Sequence, residues 1–290
     1  EDFVADTEHH LRGVLGQSLA QGGWAGATFE MATLGMTGGE PGSPLRDAYR
    51  RAAESALRTR GCTVVHDVVT NLLGASAGQP GIVVIGGGGS VAYGLAADGR
   101  EWTSGGWGFR VGDEGSGYNI GRAAINAAFR SLDRRDLPTS LTETILRHFA
   151  VSNAVALKYD IFDDRVGFGD IAGLTPVVAG EAKRGDDTAR GILEGAGRHL
   201  AEAVITVARV LEFSTEVVDL YPTGGLFQET FCLGPAFLGA VRAALPRARI
   251  RTPAFQPVVG AIFLAFRTLG WPLDQRVFDN VTASWSDSGS

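Results

Sequence analysis

Cysteine is scarce in this chain of 290 residues, which contains only Cys62 and Cys232. Two isolated thiols provide neither the closely spaced ligands of a zinc site nor a disulfide framework. We therefore expect no metal site built from cysteines, no disulfide, and a reducing compartment, the cytoplasm. The sequence starts at Glu1 rather than at Met, so a removed targeting segment is compatible with it.

An excess of positive charge and long apolar runs are also missing. Lysine and arginine total 26 against 32 acidic residues, which gives a net charge of −6. This balance argues against a surface for nucleic acid or anionic membrane. No run approaches the roughly 20 apolar residues that a membrane helix requires. We therefore expect a soluble protein that binds neither nucleic acid nor membrane.

Glycine, by contrast, is abundant and clustered. Many of the 41 glycines lie at 86–89, 105–117 and 224–225, and a fourth glycine turn lies at 37–39. Three of these turns directly follow predicted strands. In an open α/β sheet, ligands bind beyond the carboxyl ends of the strands, so we expect these turns to converge on one cleft.

The order of predicted elements is typical of an α/β fold. Strands are predicted at Ala27–Met36 and Cys62–His66, with a helix after each, which is the rhythm of a parallel sheet. Two parallel strands rarely make a stable sheet by themselves. We expect their edges to be paired, either by strands that precede this sequence or by a partner.

The following segment is predicted to be a buried strand and a hairpin. Ile82–Ile85 is a run of β-branched residues, and Asp98-Gly99 favours a type I′ turn. From about residue 115 to 212 the apolar pattern is helical. A further strand is predicted at Thr215–Tyr221, and the polar tail from Asn280 is expected to be loose.

Asp67 follows the second predicted strand and has two possible roles. As a general base at the mouth of a cleft, its carboxylate would remove a proton from a substrate hydroxyl. As a helix N-cap, it would only accept a hydrogen bond from the helix that follows. The residue types do not separate these interpretations. The neighbouring His66 is predicted to be packed near the strand end.

The turn from Gly86 to Ser90 also allows two interpretations. Its exposed amides and the Ser90 hydroxyl suit a nucleotide phosphate. A tight hairpin that requires glycine for its geometry alone accounts for Gly87, Gly88 and Gly89 equally well. The segment is not a Walker A motif, because no lysine follows it, and it is not a GxGxxG sequence that opens a helix.

The glycine-rich loop 105–117 carries acidic residues and a tryptophan. Glu114 suits the first turn of the helix that follows. Asp113 is better placed to hold a polar ligand, and Trp107 could stack on a sugar face or fill the core. A metal pair formed by the two acids is a further alternative.

Five segments match the motifs of one known family, in the same order. They are VVHDVVTNLLGA (64–75), IVVIGGGGS (82–90), GGWGFRVGDEGSGYNIG (105–121), YPTGGLF (221–227) and PVVGAIFLAF (257–266). They resemble the N-acetylglucosamine and glucosamine kinases of the BadF/BadG/BcrA/BcrD ATPase family. The resemblance implies a two-lobed α/β fold of the actin-like (ribonuclease H-like) ATPase and sugar kinase type. It covers nearly the whole chain.

The resemblance also implies a role for each matched position. The reaction would transfer the γ-phosphoryl group of Mg²⁺·ATP to an amino sugar, usually at its 6-hydroxyl, and Asp67 would be the base. The ATP phosphates would contact Gly86, Gly87, Gly88, Gly89 and Ser90, and the adenosine would contact Gly224 and Gly225. The sugar would contact Gly38, Gly106, Trp107, Asp113 and Ser116. A homodimer is a further expectation.

Two departures from the family pattern motivate an alternative. The first phosphate motif and its strand are absent, so we expect the first lobe to be incomplete at its N-terminus. Gly88 replaces the usual threonine. A catalytically impaired sugar-binding or regulatory homologue therefore remains a second hypothesis. An ATPase that activates a partner enzyme is a third, against which the lack of cluster-ligating cysteines counts.

The expected domain boundaries follow from the same comparison. Residues 1–80 are assigned to the first lobe, 81–276 to the second lobe, and 277–290 to a flexible tail.

Overall fold

The computed structural model describes residues 2–213, 217–228 and 233–287. Their elements up to the end of the hairpin are α1 (Asp2–Gln21), β1 (Thr28–Phe29), β2 (Ala32–Met36), α2 (Pro44–Ala56), β3 (Arg58–Thr59), β4 (Cys62–His66), α3 (Asp67–Ala75), β5 (Gly81–Gly86), β6 (Ser90–Leu95) and β7 (Glu101–Gly105). The remaining elements are α4 (Gly117–Leu132), α5 (Leu141–His148), α6 (Ala154–Phe162), α7 (Phe168–Ala172), α8 (Thr175–Lys183), α9 (Asp187–Val210), β8 (Asp219–Thr223), a short 3₁₀ helix (Gly225–Phe227), α10 (Gly234–Ala244), β9 (Arg249–Ile250), α11 (Pro257–Leu269) and α12 (Gln275–Asp287). None of the described helices has the length and apolar character needed to cross a bilayer.

The chain forms two compact units. Unit 1 comprises the chain up to Gln79 and the segment from Thr252 onward, and unit 2 runs from Pro80 to Arg251. The segment 252–276 therefore packs with the first part of the chain, which differs from the expected second lobe of 81–276.

Unit 1 is built around a pair of parallel strands. β2 and β4 pair in register from Ala32 opposite Cys62 to Met36 opposite His66. Leu34 and Val64 are buried beside each other at the centre of this pair. The predicted strand Ala27–Met36 is divided into β1 and β2, and β1 pairs in parallel with β3. In the described part of unit 1, the sheets thus have two strands each.

Helix α11 belongs to unit 1 because its backbone contacts that of α3. A side chain at Gly260 would place its Cβ 1.9 Å from the Thr70 carbonyl oxygen, and one at Gly74 would approach the Gln256 carbonyl oxygen to 2.5 Å. Ala254 N also donates to Ala75 O over 2.9 Å. Such a contact between distant segments leaves no local signal in the sequence.

The tail from Asn280, expected to be loose, is helical as far as Asp287. Helix α12 extends through Asp287, and the Phe278 ring lies 5.4 Å from the Phe263 ring of α11. Packing against α11 gives this polar segment an apolar partner, which stabilises a helix that its composition alone does not favour. Residues 288–290 lie outside the described part.

Unit 2 contains a five-stranded sheet in the order β7-β6-β5-β8-β9. β5, β8 and β9 run parallel, while β5, β6 and β7 form an antiparallel meander. The long helix α9 covers one face, where Val204 and Val207 pack with Ile82 and Val84 in a fully buried core. The helices from α4 to α8 form a second core in the same unit.

Two local predictions in unit 2 require correction. The hairpin turn is not type I′, because only Gly99 has a positive φ (88°) and Asp98 does not. Ala96 instead closes a longer loop by donating to Arg100 O over 2.8 Å. The strand predicted at 215–221 is observed as β8, and its first two predicted positions, 215 and 216, lie outside the described residues.

Candidate functional site

Asp67 and Thr37 lie together at one edge of the β2–β4 pair. The two strands are parallel and end opposite each other, at Met36 and His66, so the residues that follow them emerge side by side. Thr37 Oγ1 donates to Asp67 Oδ2 over 3.0 Å. The carboxyl edge of a parallel pair therefore presents a carboxylate that is already held by a hydroxyl.

The carboxylate of Asp67 is half-buried, and its two oxygens have different surroundings. Its side chain is 40% exposed, but Oδ1 is buried and lies 2.7 Å from His66 Nδ1. Burial raises the pKa of Asp67, while contacts with His66, with the Thr37 hydroxyl and with the Val68 amide together lower it by more. The pKa of Asp67 is lowered overall, which keeps the group ionised at neutral pH.

The N-cap interpretation of Asp67 is wrong. The helix begins at Asp67 itself, and His66 occupies the capping position, with Nδ1 3.3 Å from Val68 N. Asp67 is thus the first residue of α3, where the helix dipole favours a negative charge.

The turn after β2 packs tightly against β4. Gly38 has a φ of +79°, and a Cβ at Gly39 would lie 2.2 Å from the Val65 carbonyl oxygen. Glycine is therefore required for this turn to follow the neighbouring strand closely. The packing fixes the direction in which Thr37 leaves β2.

In unit 2, the glycine turn between β5 and β6 is bound by the start of α4. Gly117 N donates to Gly87 O over 2.8 Å, and Tyr118 N donates to Gly88 O over 3.3 Å. Within the turn, Gly87 N donates to Gly89 O over 2.9 Å. The turn is therefore held by its carbonyl groups.

The turn at Gly224 lies directly against the turn at Gly86. β5 and β8 are parallel neighbours and end together, with Ile85 opposite Thr223. Gly224 has a φ of +91°, and a Cβ there would lie 2.3 Å from the Gly86 carbonyl oxygen. Gly225 has open space around its Cβ position. The structure thus brings the predicted phosphate turn and adenosine turn into backbone contact.

Phe168 occupies the space beside Gly88. A Cβ at Gly88 would lie 3.2 Å from Phe168 Cζ, and the ring also packs with Phe109 and Tyr118 at centroid distances of 4.9 and 5.3 Å. A side chain at position 88 would require this ring to shift by a few tenths of an ångström. The aromatic cluster is therefore a physical reason for glycine where the family usually has threonine.

The loop 105–117 is fixed by Asp113. This residue is 7% exposed, and its Oδ1 accepts from Gly108 N over 3.3 Å. Burial raises the pKa of Asp113, and hydrogen bonds from the Gly108 and Ser90 amides oppose that shift. Its Oδ2 lies 2.9 Å from the Cβ position of Gly89. Asp113 therefore links the loop to the glycine turn.

Ser116 and Trp107 differ sharply in exposure. Ser116 is fully buried, and its hydroxyl accepts from Asn119 N over 3.2 Å as the N-cap of α4. Trp107 is 78% exposed. Because the Ser116 hydroxyl caps a helix in the interior, its contact is a structural one, whereas the Trp107 ring is available to a ligand.

A cavity of about 450 Å³ lies beside the exposed ring of Trp107. Ser90 and Glu114 line it, together with His199 and Glu202 from α9. Ser90 Oγ also donates to Glu114 O over 2.8 Å, which joins the end of the glycine turn to the loop. The described residues contain no group of three or more His, Cys, Asp or Glu side chains arranged around a metal position.

The predicted site residues thus fall into two groups, one in each unit. Gly38 and Asp67 lie in unit 1. The glycine turns at 86–89 and 224–225 lie in unit 2 with Ser90, Gly106, Trp107, Asp113 and Ser116. The sequence analysis missed Thr37 and Phe168 and assigned no role to His66. The positions of Thr37 and His66 at the ends of predicted parallel strands could have identified them as site residues. No pattern in the sequence pointed to Phe168.

The family model that matches the chain is that of the BadF/BadG/BcrA/BcrD ATPase family, over residues 3–265. The chain is 32% identical over 269 residues to the N-acetylmuramic acid/N-acetylglucosamine kinase of Clostridium acetobutylicum, covering 90% of this chain and 86% of that protein. It is 27% identical over 209 residues to the N-acetyl-D-glucosamine kinase of Dictyostelium discoideum, covering 71% of this chain and 66% of that protein.

Two solved structures share the fold. A proposed N-acetylglucosamine kinase from Chromobacterium violaceum superposes with a TM-score of 0.62 at 29% identity, covering 80% of this chain and 75% of that one. A proposed N-acetylglucosamine kinase from Porphyromonas gingivalis gives a TM-score of 0.56 at 15% identity, over 82% and 78% of the two chains, and is a likeness of fold alone. The predicted fold class, an α/β fold of the actin-like ATPase and sugar kinase type, is confirmed.

Proposed function

Because the chain belongs to the BadF/BadG/BcrA/BcrD ATPase family, we propose that it is a sugar kinase that transfers the γ-phosphoryl group of ATP to an amino sugar. The acceptor is N-acetylglucosamine or glucosamine, and the reacting group is its 6-hydroxyl. The curated relatives support a kinase, since both are named as kinases of N-acetylated amino sugars.

The observation that carries this proposal is the carboxylate of Asp67. It lies at the carboxyl edge of a parallel strand pair, it is ionised at neutral pH, and its Oδ2 already accepts from the Thr37 hydroxyl. A carboxylate in this state can accept the proton of a sugar hydroxyl as that oxygen attacks phosphorus. Asp67 is therefore the proposed general base.

The glycine turns are the proposed nucleotide site. Gly86–Gly89 and Ser90 would contact the phosphates, and Gly224 and Gly225 the adenosine. The contact between Gly86 and Gly224 supports one continuous surface for both parts of ATP. In phosphoryl transfer the protein acts chiefly by positioning and by neutralising charge, which a rigid turn held by α4 can do.

The loop 105–117 is proposed to contact the sugar, through Gly106 and the exposed Trp107 ring. Mg²⁺ would accompany ATP and take most of its ligands from phosphate oxygens and water. Asp113, whose Oδ2 lies beside Gly89, is an oxygen donor of the type that this ion binds. The ion would neutralise charge on the transferred group.

The test is sugar-dependent release of ADP from the wild-type chain and from D67N. We expect ADP release with N-acetylglucosamine or glucosamine, and a 6-phosphate product identified by NMR. D67N should bind sugar as the wild type does but turn over at least about a hundredfold more slowly. D164N is the matched control, because Asp164 is an exposed turn residue with a φ of 55° that asparagine tolerates. Unchanged turnover in D67N would remove Asp67 from the mechanism.

A second candidate, a sugar-binding or regulatory protein without kinase activity, is favoured by one observation. The Phe168 ring lies against Gly88, at the position where the family usually has a threonine hydroxyl. Calorimetry separates the two candidates. Sugar binding without any binding of Mg²⁺·ATP would support the second candidate. Tight nucleotide binding would exclude it.

A further inference from the structure

His66 lies between two carboxylates in unit 1. Its Nδ1 is 2.7 Å from Asp67 Oδ1, and its Nε2 is 4.0 Å from Glu40 Oε2. The imidazole is 19% exposed, whereas Glu40 is about half exposed. The contact with Asp67 is therefore the closer and the less screened of the two.

Nδ1 of His66 has two neighbours. In the neutral ring it accepts from the Val68 amide over 3.3 Å and caps α3. When the ring is protonated, its positive charge lies 2.7 Å from Asp67 Oδ1, which is an ion-pair distance. The contact with Asp67 raises the pKa of His66, burial opposes this, and the charges of Asp67 and Glu40 raise it further, so the protonated ring is favoured.

The two oxygens of Asp67 are held by different neighbours. Oδ1 is buried and faces His66, and Oδ2 accepts from Thr37 Oγ1. Rotation of the carboxylate would break both contacts. The arrangement therefore fixes which oxygen stays buried and which remains accessible.

We propose that His66, as an imidazolium, is a positioning residue for Asp67: it holds Oδ1 in the interior and presents Oδ2, ionised, to the substrate hydroxyl. This inference rests on the proposed function. In the step that it serves, the hydroxyl proton passes to Oδ2, the hydroxyl oxygen forms a bond to the γ-phosphorus, and the bond from that phosphorus to ADP breaks. His66 keeps its proton throughout.

The other titratable groups around this pair lie on two neighbouring segments. Glu40 belongs to the turn after β2, and Tyr49 lies on α2 and donates to Thr37 O over 3.0 Å. Burial raises the pKa of Tyr49, and the charges of Glu40 and Asp67 raise it further, so the phenol stays neutral at working pH. Among these groups, His66 is therefore the one that chiefly lowers the pKa of Asp67, and Glu40 acts through its charge on His66.

The first test is the pH profile of kcat/KM for H66Q. Without the imidazolium the pKa of Asp67 rises, so the acid limb of the profile should move to higher pH. We expect about a tenfold loss of kcat/KM at pH 4.5 and little loss at pH 8. H10Q is the control, since His10 is an exposed residue of α1. A uniform loss at every pH, with an unmoved acid limb, would overturn the proposal.

The second test does not depend on activity. The His66 ring is titrated by NMR in the wild type and in D67N, and its pKa should be lower in D67N. An unchanged His66 pKa would overturn the inference while leaving the proposed function intact. A lowered His66 pKa together with full activity of D67N would instead overturn the proposed function, and with it the positioning role. If H66Q does not fold, this titration decides the question by itself.

Discussion

The base region of unit 1 and the glycine turn of unit 2 are built from different parts of the polypeptide. In unit 1, Asp67 is held by side chains, the Thr37 hydroxyl and the His66 imidazole. In unit 2, the turn is held by backbone amides from α4 and by the approach of Gly224 to Gly86. The contacts of Asp67 can therefore be removed one side chain at a time, whereas the contact at Gly224 leaves no room for an added methyl group.

This difference determines how each region responds to substitution. Removing a side-chain contact from Asp67 alters the pKa of one carboxylate and leaves the strands in place. Adding a methyl group to a backbone contact pushes two chain segments apart. We therefore expect substitutions in unit 1 to change rates and pH profiles, and substitutions at the turn of unit 2 to change stability.

The largest effect is expected for G224A. Its Cβ would lie 2.3 Å from the Gly86 carbonyl oxygen, at a φ of +91° that alanine rarely adopts. We expect a loss of at least about 3 kcal/mol in the free energy of unfolding, measured with urea. G225A is the control, because its Cβ would meet open space, and it should stay within about 1 kcal/mol of the wild type. Equal stability of the two variants would contradict the backbone contact.

A smaller loss is expected for E181Q, which tests whether a side-chain network can be structural in unit 2. Glu181 is buried and accepts from Arg184, Ser140 and Thr144 at distances down to 2.6 Å. The Arg184 hydrogen bond is the main cause that lowers the pKa of Glu181 to about 2. Because Arg184 is 65% exposed, we expect a cost of about 2 kcal/mol at pH 7 rather than the full shift.

The pH dependence of this difference has a definite sign. A carboxylate with a lowered folded-state pKa contributes stability above its unfolded pKa of 4.5, and that stability is lost as the pH falls toward about 2. The gap between wild type and E181Q should therefore close in this window, as followed by unfolding at a series of pH values. E143Q, at an exposed position of α5, should show no gap. A gap that is constant with pH would rule out the ionic contribution.

The smallest effect is expected for T37V, which removes one hydroxyl from Asp67 and leaves His66 in place. The pKa of Asp67 should rise, but by less than in H66Q, so kcat/KM at pH 4.5 should fall by less than about twofold. T33V is the matched control on the same strand, since the Thr33 hydroxyl is buried and has no hydrogen-bond partner in the described part of the chain. It should not alter the pH profile. A T37V loss as large as that of H66Q would show that the hydroxyl, and not the imidazole, governs Asp67.

Patterns that repeat along the chain predicted much of the fold. The β-branched run at Ile82–Ile85 and the helical period of α9 were sufficient to predict a strand and a helix. Burial produces a regular pattern of apolar residues that can be read along the sequence. The carboxyl edge that carries Asp67 followed from two predicted parallel strands. The glycine cluster at 86–89 located a turn, but not what surrounds it.

Contacts between distant residues were not predictable from the sequence. The pairing of Gly74 with Gly260 depends on two helices that meet at their backbones, and glycine in a helix has many possible causes. Similarly, α12 is stabilised by the contact of Phe278 with Phe263, which no local pattern reveals. The role of His66 depends on its distance from Asp67 and Glu40, which only coordinates provide.

The return of the chain to α3 through α11 has a consequence for biosynthesis. Unit 2, Pro80–Arg251, leaves the ribosome as a continuous stretch before unit 1 is complete. Unit 1 can close the Gly74–Gly260 contact only after α11 has emerged from the ribosome. Unit 1 is therefore completed after unit 2, and a nascent chain stalled before Thr252 would carry a folded unit 2 inside an incomplete unit 1.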